Sequence, residues 1–403
     1  MKKNKQEKGI TLIALIITIV ILLILAVVTV ASIQNDEMLG HAADAGSAYN
    51  KAQKDEVETL GQHKETLNKY TPSQEEAATV KNITKNIIYS TIKEAIDNAE
   101  NNDIIEIAEG EYDLVGESDL LNQTNILEIS KSITLRAANA NKKPTLLLAS
   151  SDGTTIAKII EGLEIKADNV RLENIILKVA AGKTGSGNLV KIPAKSTSST
   201  DFYQGITIEG CELYGADHSI EMYVENANIK NCIFDESTAA DQGNIMVVKA
   251  TKGTLNIINN TFKGYSQKKH GISFYAGNNS HVQGNILIEN NTFNQVYKCI
   301  VHESTMTYEN VSVKIKNNTF TNYKKKAVAV DKGSFIEYVI SGNVFDIPSD
   351  GTVIIDNGTD FMLDANNNYW GTNNPVKAEI FEGNVNATTY YTTADKSNNT
   401  SWN

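Results

Sequence analysis

Arginine is nearly missing from this chain: Arg136 and Arg171 are the only two in 403 residues. With a net charge of -11, that scarcity excludes the basic stripe a nucleic-acid partner requires. Cysteine is scarce too. Cys211, Cys232 and Cys299 are an odd number without metal-ligand spacing, so neither a disulfide framework nor a zinc site is expected, and they read as small core residues. Five prolines stand against 26 glycines, with abundant Asn, Thr and Ser. That balance suits many short strands joined by polar turns, rather than collagen or disorder. A P-loop is also lacking, since the glycines at Gly182 to Gly187 are not followed by Gly-Lys-Ser/Thr at the required spacing.

What is present begins with four lysines (Lys2, Lys3, Lys5, Lys8) against one acid, then Gly9, then 22 residues from Ile10 to Ala31 without a charge. About 20 apolar residues cross a bilayer as a helix. Lysines before the run and Asp36 and Glu37 after it place the N-terminus inside and the bulk of the chain outside. A signal peptide would have a shorter apolar core and a small-x-small cleavage site, which this segment lacks. The words KGITLIALIITIVILLILAVVTV resemble the N-terminal segment of type IV prepilins and pseudopilins. That resemblance implies processing between Gly9 and Ile10 by a prepilin peptidase. It departs at the fifth mature position, Ala14, where the family usually carries Glu, so a monomeric membrane anchor is expected rather than a pilus subunit.

The rest of the chain repeats. ITIEGCELY, NIKNCIFD, LNIINNTFKG, ILIENNTFNQ, VKIKNNTFTN, YVISGNVFD and LDANNNYWG share apolar alternation, then Asn or Gly, then a large inward residue. The large residues are Leu213, Phe234, Phe262, Phe293, Phe320, Phe345 and Tyr369, at steps of 21, 28, 31, 27, 25 and 24 residues. A second strand recurs as SIEMYVEN, NIMVVKAT, GISFYAGN, CIVHEST, AVAVDKGS and TVIIDNGT. Two registers repeating together predict a wound sheet with coils about 4.8 Å apart. Equivalent positions then stack, giving an expected ladder of Cys211, Cys232, Asn260, Asn291, Asn318 and Asn343. A capped helix is expected after Ser90, with Thr91 and Glu94 at capping-box spacing.

These words resemble the pectate-lyase-like right-handed parallel β-helix repeat family. The expected fold class is all-β: a parallel β-helix with a short N-terminal capping helix, preceded by one transmembrane helix. The boundaries read as a cytoplasmic basic leader at 1–9, a transmembrane pilin-like helix at 10–32, a helical stalk at 33–60, and a linker at 61–81. The β-helix follows at 82–372, and a polar tail or cap at 373–403.

Chemistry is sparsely signalled. The paired aspartates and Gly-His-Gly of polygalacturonases are absent, Lys268 to Gly271 being a fragment of that pattern, and no downstream arginine offers a lyase base. Alternation places Tyr223, Val248, Tyr275, Glu303, Asp331 and Asp356 on one outward file, where Glu303, Asp331 and Asp356 are candidates to hold Ca²⁺ and Lys325 or Lys332 a candidate base. A solvated acidic ladder is the plainer reading. His302 is expected inward and hydrogen-bonded, Asp217, His218 and Glu221 form a polar knot, and Gly182 to Gly205 is expected as a surface loop. The function expected is a membrane-anchored, single-pass, extracellular surface protein, non-enzymatic, working by adhesion or by binding polysaccharide or cell-surface glycan. A calcium-dependent polysaccharide lyase and a minor pilin or pseudopilin component are the alternatives. No obligatory cofactor is expected.

Overall fold

The computed structural model describes residues 17–26, 51–52, 80–114, 125–148, 161–179, 187–196, 201–215, 218–236, 243–264, 269–275 and 281–402. The chain divides into two units, Met1–Glu76 and Ala77–Asn403. In the first unit residues 17–26 are helical, and Ile17, Leu22 and Leu25 are each more than half exposed. No helix among the described residues is long and apolar enough to cross a membrane. Gly9, Ile10 and Ala14 lie outside the described residues, as do the rest of the span, most of the stalk and the linker up to 79.

The second unit is a parallel β-solenoid. Each coil adds one strand segment to each of three faces, and all three stack in register. The strand Gly243–Ile258 is long enough to serve two of them. Its first half pairs with Lys269–Phe274 and its second half with His281–Glu289, both parallel. Thr261–Lys263 then turns into the third face, a twelve-stranded sheet running from Glu111–Asp113 to Asn399–Ser401. Alternation along each strand sends one set of side chains into a core that is almost wholly apolar.

The corner before the third face explains the Asn-Asn words. Asn231, Asn259, Asn290, Asn317 and Asn367 have φ between 54° and 59°, and Gly210 and Gly342 take the same place with φ of 64° and 69°. This left-handed conformation is steric strain for most residues and is tolerated by Asn and Gly. The residue that follows points inward and forms the ladder. Asn260 donates to Oδ1 of Asn291 from its backbone N (2.8 Å) and from Nδ2 (3.0 Å). Asn291 does the same to Asn318, Asn318 to Asn343, and Asn343 to Asn368. Each Nδ2 also donates to a backbone carbonyl of the preceding coil, as from Asn291 to Ile257 (2.8 Å). The backbone N of Cys232 joins the ladder by donating to Asn260, while Cys211 and Cys232 themselves are free buried thiols.

Two residues beyond each ladder Asn stands the aromatic stack. Phe234, Phe262, Phe293, Phe320 and Phe345 lie 4.7 to 5.0 Å apart, with interplanar angles of 19° or less. The stack ends on Trp370, 4.8 Å from Phe345, rather than on Tyr369. Tyr369 pairs with Val344 and faces outward, because one more Asn in the final word shifts the register by one.

Both ends are closed. Thr91 Oγ1 accepts from Glu94 N, and Ile92–Asp97 buries Ile92, Ala95 and Ile96 over the first coil. Val80–Asn82 pairs antiparallel with Ile87–Tyr89 and Ile104–Ile107, so the body begins at Val80 within the segment read as linker. At the other end, parallel stacking continues past residue 372 through Phe381–Gly383, Val385–Asn386 and Thr389–Tyr391. Asn399–Ser401 then pairs antiparallel, and Trp402 packs on Tyr390 at 4.6 Å. An antiparallel last strand interrupts the parallel edge that another coil would need. The segment Gly182 to Gly205 also contributes to the body, since Asn188–Ile192 is a strand parallel to Glu161–Ile165 and His218–Lys230.

Candidate functional site

The first face carries the candidate site. Its strands align Met222, Val248, Phe274, His302, Val330 and Asn357 in one inward column. Val248 is therefore a core residue, 0% exposed, and not part of the outward file. The register shift between Met222 and Tyr223 accounts for the change: Met222 pairs with Val248 but Tyr223 with Ala250. Lys249 is the extra residue, and its Nζ lies 4.6 Å from the ring centroid of Tyr275 and 3.7 Å from Glu221.

Tyr275, Glu303, Asp331 and Gly358 each follow the inward column, and each donates its backbone N to the coil before. Asp356 lies two residues earlier than this line, paired with Ala329 and Glu382 and bound by the ammonium of Lys326. The three carboxylates therefore do not share a file. Glu303 and Asp331 remain neighbours: burial, then the charge of Asp331, raises the Glu303 pKa above the usual carboxylate range. Among the described residues no group of three or more His, Cys, Asp or Glu side chains is arranged to hold a metal ion. Lys325 turns toward Tyr297, its Nζ 5.3 Å from that ring, and Lys332 is exposed beside Asp331 in sequence.

Between these lines run Val247, Ser273, Val301 and Ala329, which face away from the core yet are 0 to 1% exposed. The other border is cationic. His270, within its strand, and Lys298 and Lys326, each just before the next strands, stand at one level, with Tyr297 5.3 Å from His270 and Lys324 5.9 Å from Tyr297. Burial, helped by Lys298, lowers the His270 pKa to about 4, so this imidazole is neutral at pH 7. The face thus has a floor of small side chains that Asp356 ends in the coil after Ala329, one border rich in lysine, and an opposite border of tyrosine and carboxylate where Lys249 lies over Tyr275.

The remaining candidates are structural. Arg136 is held by Glu106 at 2.7 Å, and Arg171 by Glu173 at 2.6 Å, so neither stands ready as a base. His218 bonds to Asn188 at 3.1 Å while Glu221 turns to Lys249, and Asp217 lies outside the described residues. His302 is inward as expected but has no hydrogen bond from either ring nitrogen: its ring stacks on Phe274 at 4.4 Å instead. Sequence reasoning missed a buried group formed by Ser219, Glu236 and Lys269. The Ser219 hydroxyl donates to Glu236 at 2.5 Å, and Lys269 lies 3.9 Å from that carboxylate, 2% exposed. Lys268 and Lys269 look alike in sequence, and burial depends on where Glu236 arrives from the previous coil. Removing either partner of a desolvated pair of this kind leaves the other charge buried and uncompensated.

Comparison of the chain with protein-family models, with curated proteins and with solved structures gave no match in any of the three.

Proposed function

We propose that this protein is a membrane-tethered, extracellular β-solenoid that binds a glycan along its first face without cleaving it. The observation that carries the reading is the polarity of that face. Lys298 and Lys324 line one side, whereas Tyr275, Glu303 and Asp331 line the other, in a chain whose net charge is -11. Tyr275 is 45% exposed and offers a ring on which a sugar can stack. Coils about 4.8 Å apart repeat at close to the length of one sugar ring, so a linear glycan lying along the axis meets a new set of side chains at each residue. Lysines on one side suit carboxylate or other anionic substituents, and the carboxylates opposite suit hydroxyl or amine groups.

The tether rests on the lysine leader and the uncharged run from Ile10 to Ala31. The leader would remain in the cytoplasm, with Gly9 and Ile10 flanking the prepilin peptidase cut.

The test is retention of the detergent-solubilised full chain on immobilised acidic and neutral polysaccharides, with and without Ca²⁺, while unsaturated product is followed by ultraviolet absorbance. Retention without absorbance supports the proposal. Calcium-dependent absorbance that Asp331→Ala abolishes replaces it with a lyase, and no retention on any glycan removes the binding function. The mass of the mature N-terminus reports separately on processing at Gly9.

A further inference from the structure

The interior corner between the first and second faces holds polar atoms that the protein itself leaves without partners. Nδ1 and Nε2 of His302, Oη of Tyr308 and Oη of Tyr338 are all buried, and none makes a hydrogen bond within the protein. The residues are 0%, 6% and 2% exposed. They also belong together. The His302 ring centroid is 5.5 Å from that of Tyr308 and 5.6 Å from that of Tyr338, and a tyrosine hydroxyl extends nearly 3 Å beyond its ring centre, an order-of-magnitude reach set by bond lengths. Phe274 stacks on one side of the imidazole, and Phe335 meets it edge-on at 5.9 Å. Tyr308 and Phe335 lie 5.4 Å apart, so the imidazole is surrounded by aromatic rings.

The ladder asparagines are bonded through their amides, and the other unbonded buried atoms among the described residues, on Thr251, His270, Trp370 and Trp402, occur one to a residue. Four unbonded atoms at one place would each cost the full desolvation of a polar group, and native interiors rarely accept that. A side chain bond between the rings would satisfy at most two of them. A water molecule needs two to four polar partners, and this group supplies both acceptors and donors: a neutral imidazole has one of each, and each phenol can serve as either.

We infer that the solenoid binds water inside this corner, bridging the His302 imidazole to the hydroxyls of Tyr308 and Tyr338. The site is internal and lies behind the glycan-binding face, close enough for the charges of Glu303 and Asp331 to act on the Tyr308 hydroxyl. Its occupant is a small neutral hydrogen-bonding molecule: those charges oppose an anion, and the rings of Phe274 and Phe335 beside the imidazole offer a cation no hydrogen-bond acceptor. Water fills the donor and acceptor set and fixes the His302 tautomer.

The experiment compares thermal unfolding of the full chain with that of Tyr308→Phe, Tyr338→Phe and His302→Phe. These changes keep the rings and remove the polar atoms. If water bridges the group, removing any one member strands the others, and each midpoint falls, by roughly 2–4 °C. A midpoint that is unchanged or higher overturns the inference, because deleting an unbonded hydroxyl from an apolar site relieves a cost. Crystals of the full chain give the independent readout. An ordered peak within hydrogen-bond distance of a His302 ring nitrogen and of one tyrosine Oη supports it. Direct side-chain bonding or continuous apolar packing there overturns it.

Discussion

Two interior corners of the same solenoid handle buried polarity in opposite ways. At the corner before the third face, Asn260, Asn291, Asn318, Asn343 and Asn368 repeat the same side chain in successive coils; each of the first four amides donates to the next, and Asn368 ends the file on backbone carbonyls. At the corner between the first and second faces, His302, Tyr308 and Tyr338 occur once each, and the coils above and below offer Phe274 and Val330 at the level of His302. A parallel stack presents each residue mainly with its own counterpart. An amide is both donor and acceptor, so an identical neighbour satisfies it; imidazole and phenol groups in a mixed stack need something else. Repetition lets one kind of side chain satisfy itself along the whole corner, whereas a buried group that occurs once, such as Ser219, Glu236 and Lys269, needs partners of different chemistry.

The largest effect is expected from interrupting the repeating corner. Phe293→Ala empties a ring held between Phe262 and Phe320 and should cost about 3–5 kcal/mol in urea unfolding. A loss below about 1 kcal/mol would show that the stack collapses around the gap. Asn291→Ala comes next. It removes the acceptor for two donors of Asn260 and takes the Nδ2 donor from Asn318 Oδ1 and from the Ile257 carbonyl, while the backbone N at 291 still donates to Asn318, for an expected loss on the order of 3 kcal/mol. Asn291→Cys, copying the two coils that carry cysteine, should cost less than the alanine.

Acidification should weaken the other corner. Burial lowers the His302 pKa to about 3, well below its value of about 6.5 in the unfolded chain. The folded state therefore holds the neutral ring while the unfolded state takes up a proton. Stability is complete above about pH 6.5 and is lost as pH falls toward 3, by on the order of 2 kcal/mol at pH 5 from this residue. His270, lowered to about 4 by burial and Lys298, adds to the loss with the same sign. Unfolding midpoints between pH 7.5 and 5 should fall in the native chain and fall less in His302→Phe; equal slopes would mean that His302 is not the titrating group. The smallest effect on stability belongs to the outer face. Tyr275→Ala should change the unfolding free energy by less than about 0.5 kcal/mol yet reduce glycan retention roughly tenfold, the loss of one stacking contact. Equal retention would move the binding site away from Tyr275.

The sequence displayed the repeating corner almost completely, because Asn-Asn-Thr-Phe and its relatives mark a left-handed turn, a ladder position and an inward ring in four consecutive residues. The first face was harder to read. Period-two alternation predicted Tyr275, Glu303 and Asp331 in line, but the bulge at Lys249 exchanged the place of Val248. Asp356 fell one outward position away because the turn into its coil has a different length, and it met Lys326. Loop length and bulges carry no periodic signal, so errors in register collect there.

The sequence by itself determined the winding of the body, its ladder and its ring stack, since local turn chemistry and a repeat of similar length leave few other ways to bury those residues. Tertiary structure alone decided which charged groups meet. Whether Lys269 is buried against Glu236 while Lys326 binds Asp356 depends on contacts between coils some 30 residues apart. So does the aromatic shell that leaves His302 neutral. These outcomes are set by burial and by the neighbours each coil happens to bring, and neither is written in the residues next to them along the chain.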